Sequence, residues 1–492
     1  MASSDAFSIV LTGPKTMNKR SAELYLTIDQ GGHASRAIVF NQHGEILAQA
    51  EHAINTFTPQ DGWVEHSPQE VLASIRLAMR EAVQTLGRKR NQIKAAGLAT
   101  QRSSIVCWHR ASGKALSPVL SWQDRRQQTW LEQFTNKNEM VHRRTGLFLS
   151  PHYGASKLRW CLDNLADVSA AHAEHKLLAG PLASYLVFNL TRERYACADP
   201  ANASRTLLWN IQSQNWDAEL CEMFDVPMAI LPECNHSCAD FGHLDIDGQS
   251  IPLQLVTGDQ PAAMFAWGQP DDSRFYINIG TGAFIQRITP HPCHNKRLLT
   301  GIAYQDAQQQ FFTLEGTVNG AARALQWLKI GDLEQELPKW LDKIDRPPLF
   351  INTISGLGSP WWLPCQPARF IGETKHCPQN RAVAVLESIV FLIQRNIEEM
   401  EQSLPPVNEV IVSGGLSQLN GLCQRLANLS DKAIRRPQVS EATAQGLGFL
   451  AAGQPDHWPA FEAQQTFYPE PQPLLLNRYQ AWRTRMAKLG PV

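Results

Sequence analysis

No apolar run in this 492-residue chain approaches the ~20 residues that a membrane-spanning helix requires. An excess of either charge is missing as well: 45 basic residues face 46 acidic ones, a formal net charge of −1. That balance argues against a dedicated nucleic-acid binder, which carries a basic surplus. Closely spaced cysteines are scarce. Of the 10 cysteines only Cys234 and Cys238, in CNHSC, lie close together, and no second ligand pair accompanies them. Thiols in a reducing cytoplasm are the expectation, rather than a zinc site. The signature G-x-x-x-x-G-K-[ST] is absent, which argues against a P-loop protein. The N-terminus, MASSDAFSIVLTGPKTMNKRSAE, has no small-residue cleavage site behind a proper apolar stretch and does not read as a signal peptide. Met17 precedes a more ordinary start, so residues 1–22 are expected to form a disordered extension.

What is present is a globular composition, 43% hydrophobic and 18% charged, in a chain too long for one ordinary core. Leu24 to Ile28 is a strand pattern, Gly31-Gly32 a turn, and Ala37 to Phe40 a second strand pattern. A related segment, RFYINIGTGAFIQRI, opens the second half, with Gly280 and Gly282 in its turn. Duplicated α/β domains facing each other across a cleft produce such an arrangement. Elsewhere strands and helices alternate. Glu70 to Leu86 has helical periodicity, Ala95 to Thr100 reads as a buried strand, and Ile105 to His109 is expected to pair beside it. Leu253 to Thr257 reads as a strand, followed by a helix from Pro261. Val383 to Glu401 reads as a long amphipathic helix, and Ala442 to Ala452 as a small-residue helix able to pack closely on a sheet. A domain boundary is expected near Gly268, dividing the chain into residues 23–268 and 269–492.

Phosphoryl transfer needs neutralised phosphate oxygens, a metal, and a base for the acceptor hydroxyl's proton. In the turns at Gly31-Gly32 and Gly280-Thr281-Gly282, backbone N–H groups can approach phosphates closely. Asp29 follows one hydrophobic strand and Asp259 leaves another. Strand-end carboxylates in α/β proteins open onto the ligand cleft, where they hold Mg²⁺ or abstract a proton. Taken alone, a turn-forming or helix-capping aspartate is the commoner case.

The motifs IDQGGHASRAIVF, GWVEHSP, TQRSSIVCW, SWQDRR, TGLFLSPHYGASKLRW, NASRTLLWNI, GDQPAAMFA, IGTGAF, LEGTVNGAARALQWL, ISGLGSPWW and SGGLSQLNG occur in one order. That series resembles the FGGY carbohydrate kinases, most closely their glycerol kinase-like branch, from about Leu24 to Trp482. The resemblance implies an α/β protein of two actin-like, ribonuclease H-like domains around a central cleft. The N-terminal domain would hold the substrate and the C-terminal one the nucleotide. It implies a cytoplasmic kinase using ATP and Mg²⁺ on a small polyol or sugar, with no nucleic acid and no membrane insertion, assembled as a homodimer or homotetramer. Carried over residue by residue, Asp259 matches the catalytic base and, with Asp29, the metal-associated carboxylates. The substrate pattern falls on Arg102, Ser103, Trp122, His152, Asp259, Gln260 and Phe284. The nucleotide pattern falls on Gly31, Gly32, His33, Arg36, Gly280, Thr281, Gly282, Gln326 and Gly415.

Several positions depart from the pattern. Where glycerol kinases read N-Q-R-E-T this chain has Thr100-Gln101-Arg102-Ser103-Ser104, so a carboxylate facing substrate hydroxyls becomes Ser103. Hydrogen bonds to a charged group contribute about 1.5–3 kcal/mol, which translates into a roughly ten- to hundredfold loss of glycerol affinity. The expected tyrosine is His152, with Tyr153 beside it as a possible substitute. The first phosphate loop lacks two hydroxyls, at Gly32 and His33; Ala322 replaces a glycine and Leu419 an asparagine. His33 is expected to be a solvent-facing or phosphate-touching residue, and Trp361-Trp362 core or hinge packing. Glycerol to glycerol 3-phosphate is the expected reaction. Another polyol or ketose, or a nucleotide-binding protein with little kinase activity, is the alternative.

Overall fold

The computed structural model describes residues 23–489 except 331–332, 364–365, 373–376, 439–440 and 459–462. The extension expected at residues 1–22 lies outside the described residues. Strand Leu24–Gln30 is buried along its whole length, as the apolar run LYLTI requires of a strand covered on both faces. It turns through Gly31-Gly32 into the antiparallel strand Ala34–Asn41, which pairs in turn with Ile46–Ala53. On its other side Leu24–Gln30 runs parallel to Ile93–Thr100, and that strand parallel to Gln249–Gly258. The short strand His243–Ile246 completes this six-stranded sheet at one edge.

The second half repeats this core. Arg274–Ile279 pairs antiparallel with Ala283–Thr289, which pairs with Gln310–Val318. Arg274–Ile279 also runs parallel to Glu409–Ser413, and that strand to Ala433–Pro437. Leu299–Gln305 and Ala463–Phe467 extend the sheet to seven strands. Five strands thus share one order and one set of directions in both halves, which is the actin-like, ribonuclease H-like arrangement expected from the two hairpins.

Helices cover these sheets. Ser67 caps the N-terminus of Pro68–Thr85 by accepting from the Glu70 N–H, and Pro68 occupies the first turn, where a missing N–H costs nothing. The 24-residue helix Pro378–Glu401 packs against the second sheet and, unlike the amphipathic helix expected, is buried on all sides from Ala382 to Ile397. Helix Ala442–Ala451 joins the halves. A Cβ at Gly446 would lie 1.9 Å from the Ala262 carbonyl oxygen, so only glycine lets this helix approach Asp259–Met264. Around that crossing Phe40, Leu255 and Phe265 from the first half share one core with Tyr276, Leu447 and Trp458 from the second.

Two expectations need correction. Ile105–His109 is a strand, but it pairs with Leu177–Pro181 in a separate four-stranded sheet rather than with Ile93–Thr100. The free edge of Ile93–Thr100 is taken by Gln249–Gly258, and Ser103, at φ 65°, turns the chain away. The helix expected from Pro261 begins at Asp259, with Gly258 as its cap and Pro261 tolerated in the first turn.

Candidate active site

Three parallel strands end side by side, with Gln30, Thr100 and Gly258 in register. Ligands of open α/β sheets bind beyond such carboxyl ends. Asp29 stands one residue before the first end and Asp259 one residue after the third. Burial pushes the Asp29 carboxyl up to about 7, assisted by the charge of Asp259 and opposed by Arg36. Asp259 is raised by burial as well, with Arg102 pulling the other way. Its Oδ1 accepts the Gln260 N–H at 2.8 Å, and its carbonyl accepts Thr443 Oγ1, from the second half, at 3.3 Å.

Arg102 lies across Gly258, where a Cβ would stand 2.5 Å from its Cδ. Its Nη2 donates to Gln260 Oε1 at 2.6 Å, and its Nη1 lies 3.8 Å from Glu315. Glu315 also pairs closely with Arg205 and accepts from Thr313 Oγ1 at 2.7 Å. Burial alone would raise Glu315; Arg205 and Arg102 outweigh it and hold the carboxyl at about 2. Arg102 itself is brought down to about 10, by burial and then by the neighbouring Arg205. A lone buried ion costs several kcal/mol, so two arginines facing Glu315 and Asp259 form a balanced set that loses stability if any member is removed.

Ser103 follows with a left-handed backbone, which costs a non-glycine residue about 1–2 kcal/mol. Its carbonyl accepts Lys157 Nζ at 3.1 Å, and a net hydrogen-bond contribution of about 0.5–1.5 kcal/mol offsets much of that strain. His152 and Tyr153, adjacent in sequence, face different partners. The His152 ring lies 6.1 Å from the Trp122 ring, with Nδ1 2.8 Å from the Trp122 carbonyl oxygen. Burial brings His152 down to about 4, so the ring is neutral near pH 7, with Nδ1 the donor and Nε2 a free acceptor. Tyr153 is buried near Arg205, Glu315 and Arg102, with burial raising its hydroxyl pKa and the two arginines opposing. Trp122 is carried by a segment that Arg126 clamps, pairing with Asp124 and Glu65 and lying 3.9 Å over Trp63 and 4.3 Å over Trp160. Phe284 is half-buried on the strand after the second glycine turn, opposite Asn278.

The two glycine turns differ in how they are held. Gly31 donates to the Ala34 carbonyl at 2.9 Å, Gly32 has open space around it, and His33 is exposed. Arg36 reaches across to Glu51, its register partner on Ile46–Ala53, at 2.6 Å and to Glu441 at 3.6 Å. In the second turn Gly280 donates to the Gly282 carbonyl at 2.9 Å, and the Thr281 carbonyl accepts the N–H groups of Ala321 and Arg323 at 3.1 and 3.3 Å. Those donors open the short helix Ala322–Trp327, which carries Gln326 on its exposed side. Gly414, at φ 89°, lies against Ile279, and Gly415 follows in open space. Gly31–Arg36 thus belongs to the first half, and Gly280–Gly282, Gln326 and Gly415 to the second.

The model of the N-terminal domain of the FGGY family of carbohydrate kinases matches residues 24–265, and that of its C-terminal domain residues 275–453. The chain belongs to this family. Glycerol kinase of Ectopseudomonas mendocina (strain ymp) is 33% identical over 90% of this chain and 94% of its own. Glycerol kinase of Rhodopseudomonas palustris (strain BisA53) is 34% identical over 93% and 92%. Among solved structures, a Plasmodium falciparum glycerol kinase with ADP superposes with TM-score 0.86 at 23% identity, covering 96% of this chain and 99% of that one. A xylulose kinase of Brucella ovis gives TM-score 0.83 at 20% identity over 95% and 98%. As an FGGY kinase the protein is an ATP-dependent sugar or polyol kinase. Among the described residues no helix is long and apolar enough to cross a membrane.

Against the family pattern, the sequence misses Glu315, Arg205 and Lys157. The motifs LEGTVNG and NASRTLLWNI contain the first two, but nothing in either names its partner, because the cluster forms only when both halves fold. Trp361 packs edge-on against Trp482, and Trp362 reaches Phe148 of the first half at 5.0 Å, so this pair is core and inter-half packing as expected.

Proposed function

We propose that the protein transfers the γ-phosphoryl of ATP to glycerol, or to a polyol of similar size, in the cleft beside Asp29, Arg102 and Asp259. The convergence of Asp29, Arg102, Asp259 and Gln260 at three neighbouring strand ends carries this reading. Its support in sequence is the identity to glycerol kinases over nearly the whole chain. In this reading residues 23–268 bind the acceptor, and residues 269–492 bind the nucleotide through Gly280–Gly282, Gln326 and Gly415. Asp259 accepts the hydroxyl proton while the oxygen attacks in line, and its raised pKa suits a base working near neutral pH. Arg102 and Gln260, already hydrogen-bonded to each other, orient the acceptor, and Phe284 and Trp122 supply apolar walls. His152 Nε2 offers an acceptor lone pair where glycerol kinases carry a tyrosine hydroxyl.

A divalent cation fits the carboxylate pair. Asp29 is raised by burial and by Asp259 with only Arg36 opposing, an imbalance that a cation would relieve. Mg²⁺ commonly takes one or two carboxylates together with substrate phosphates, and when bound it neutralises charge on the transferring phosphoryl group. Ser103 favours a second reading, in which the acceptor is a longer polyol or a ketose that fills the space left by the shorter side chain. The test of the mechanism is Asp259→Asn. Turnover should fall at least about a hundredfold, the scale of a positioned base, while ATP affinity stays within about twofold. Turnover close to that of the parent would remove Asp259 from the base role.

A further inference from the structure

Lys157 is a buried amine that the phosphoryl-transfer scheme leaves unused. Helix Gly154–Asn164 begins so near strand Ile105–His109 that a Cβ on Gly154 would stand 3.1 Å from Ile105 Cγ2. This close approach delivers Lys157 Nζ to two carbonyls, 3.1 Å from that of Ser103 and 2.6 Å from that of His152. From His152 the connection continues through ring Nδ1 to the Trp122 carbonyl at 2.8 Å. The Trp122 N–H then donates to Ser104 Oγ at 3.0 Å, and Ser104 is bonded to Ser103. The path returns to its origin. Three segments from different parts of the chain, the Arg102–Ser104 turn, the Trp122 loop and the His152 turn, are linked in one closed ring.

We propose that Lys157 is a positioning residue for the acceptor pocket, closing a hydrogen-bonded ring through Ser103, His152, Trp122 and Ser104 that sets the pocket's width and fixes the His152 tautomer. The proposal rests on the polyol-kinase reading and extends it to specificity. Within the ring the direction of every hydrogen bond is determined. Carbonyls only accept, so His152 Nδ1 carries its proton toward Trp122, and Nε2 is left as an acceptor. Burial brings Lys157 down to about 7, with Asp124 pulling the other way and Arg126 adding to the fall. A neutral amine still offers two N–H groups, matching the two carbonyls, so the ring persists in either protonation state. Ser103 gains most from this link, because a serine at φ 65° is strained where glycine would not be and the tether holds it there.

The test compares wild type, Lys157→Met, Ser104→Ala and the double variant on the polyol or ketose that wild type uses best, with KM measured separately for acceptor and ATP. Each single change breaks the ring once, so each should raise the acceptor KM about tenfold or more and leave the ATP KM within about threefold. The double variant should be no worse than the poorer single, because a ring already open has little more to lose. Acceptor KM unchanged in the singles, a parallel rise in both KM values, or multiplicative losses in the double variant would each overturn the proposal. If Lys157→Met does not fold, Ser104→Ala decides on the same criteria. Wild type without turnover on any acceptor overturns the kinase reading and the ring together; active wild type with unaffected variants overturns the ring alone.

Discussion

Strand Leu24–Gln30 reaches its glycine turn through Asp29 and Gln30, whereas its counterpart Arg274–Ile279 does so through Asn278 and Ile279. A carboxylate in one copy of the core is an amide in the other, where Asn278 Nδ2 donates to Ser413 Oγ at 3.1 Å. The turns differ in the opposite sense. The first is open, with nothing near a Cβ added at Gly32, while the second is tied to the following helix and pressed against its neighbour strand, with the Val318 carbonyl 2.8 Å from a Cβ on Gly282. On the proposed function this difference is a division of labour, the first turn following a carboxylate and the second offering a packed, uncharged backbone turn.

The largest effect that would sharpen this contrast is at Asp29. Asp29→Ala should raise the Mg²⁺ concentration needed for half-maximal activity by about ten- to a hundredfold. In the parent, Mg²⁺ dependence should also tighten as pH rises through about 7, since only the ionised carboxyl binds a cation and this one is held protonated up to that range. The variant should lose that pH dependence. Identical magnesium titrations for variant and parent would return Asp29 to a purely local turn role and remove the asymmetry between the halves. A smaller effect is expected at the substrate end. Ser103→Glu should improve kcat/KM for glycerol about tenfold, mainly through KM, by restoring a charge-assisted acceptor beside Arg102. Glycerol already bound by the parent at a typical micromolar KM, or no gain in the variant, would show that His152 and its neighbours have replaced the carboxylate. The smallest pair of effects tests the turns themselves. Gly282→Ala should weaken nucleotide binding about fivefold, because backbone must shift to admit a methyl group, whereas Gly32→Ala should stay within about twofold. Equal losses in an isothermal titration would mean that the turns are not differently packed.

Much of this architecture is legible in the sequence because it is local. The two strand–glycine–strand hairpins, the long helix ending at Glu401 and the small-residue helix from Ala442 follow from patterns within a few residues. Asp29 and Asp259 could be placed at strand ends for the same reason. Pairing across distance is not written locally. Ile105–His109 has the composition of a strand, but its partner depends on the left-handed Ser103 and on a strand arriving much later in the chain. Glu315 sits in an unremarkable run of a central strand, and only the folded chain brings Arg102 and Arg205 to it from the other half. The same holds for Lys157, which reads in sequence as one more basic residue on an amphipathic helix.

The account stands or falls on acceptor-dependent ATP turnover. ADP formation by the purified protein, followed with Mg·ATP in the presence and absence of glycerol, longer polyols and ketoses, measures it directly. The account expects almost no ADP without an acceptor and steady turnover with at least one, accompanied by a phosphorylated product in equal amount. ADP formed at the same rate with and without every acceptor, or none formed at all, would contradict it.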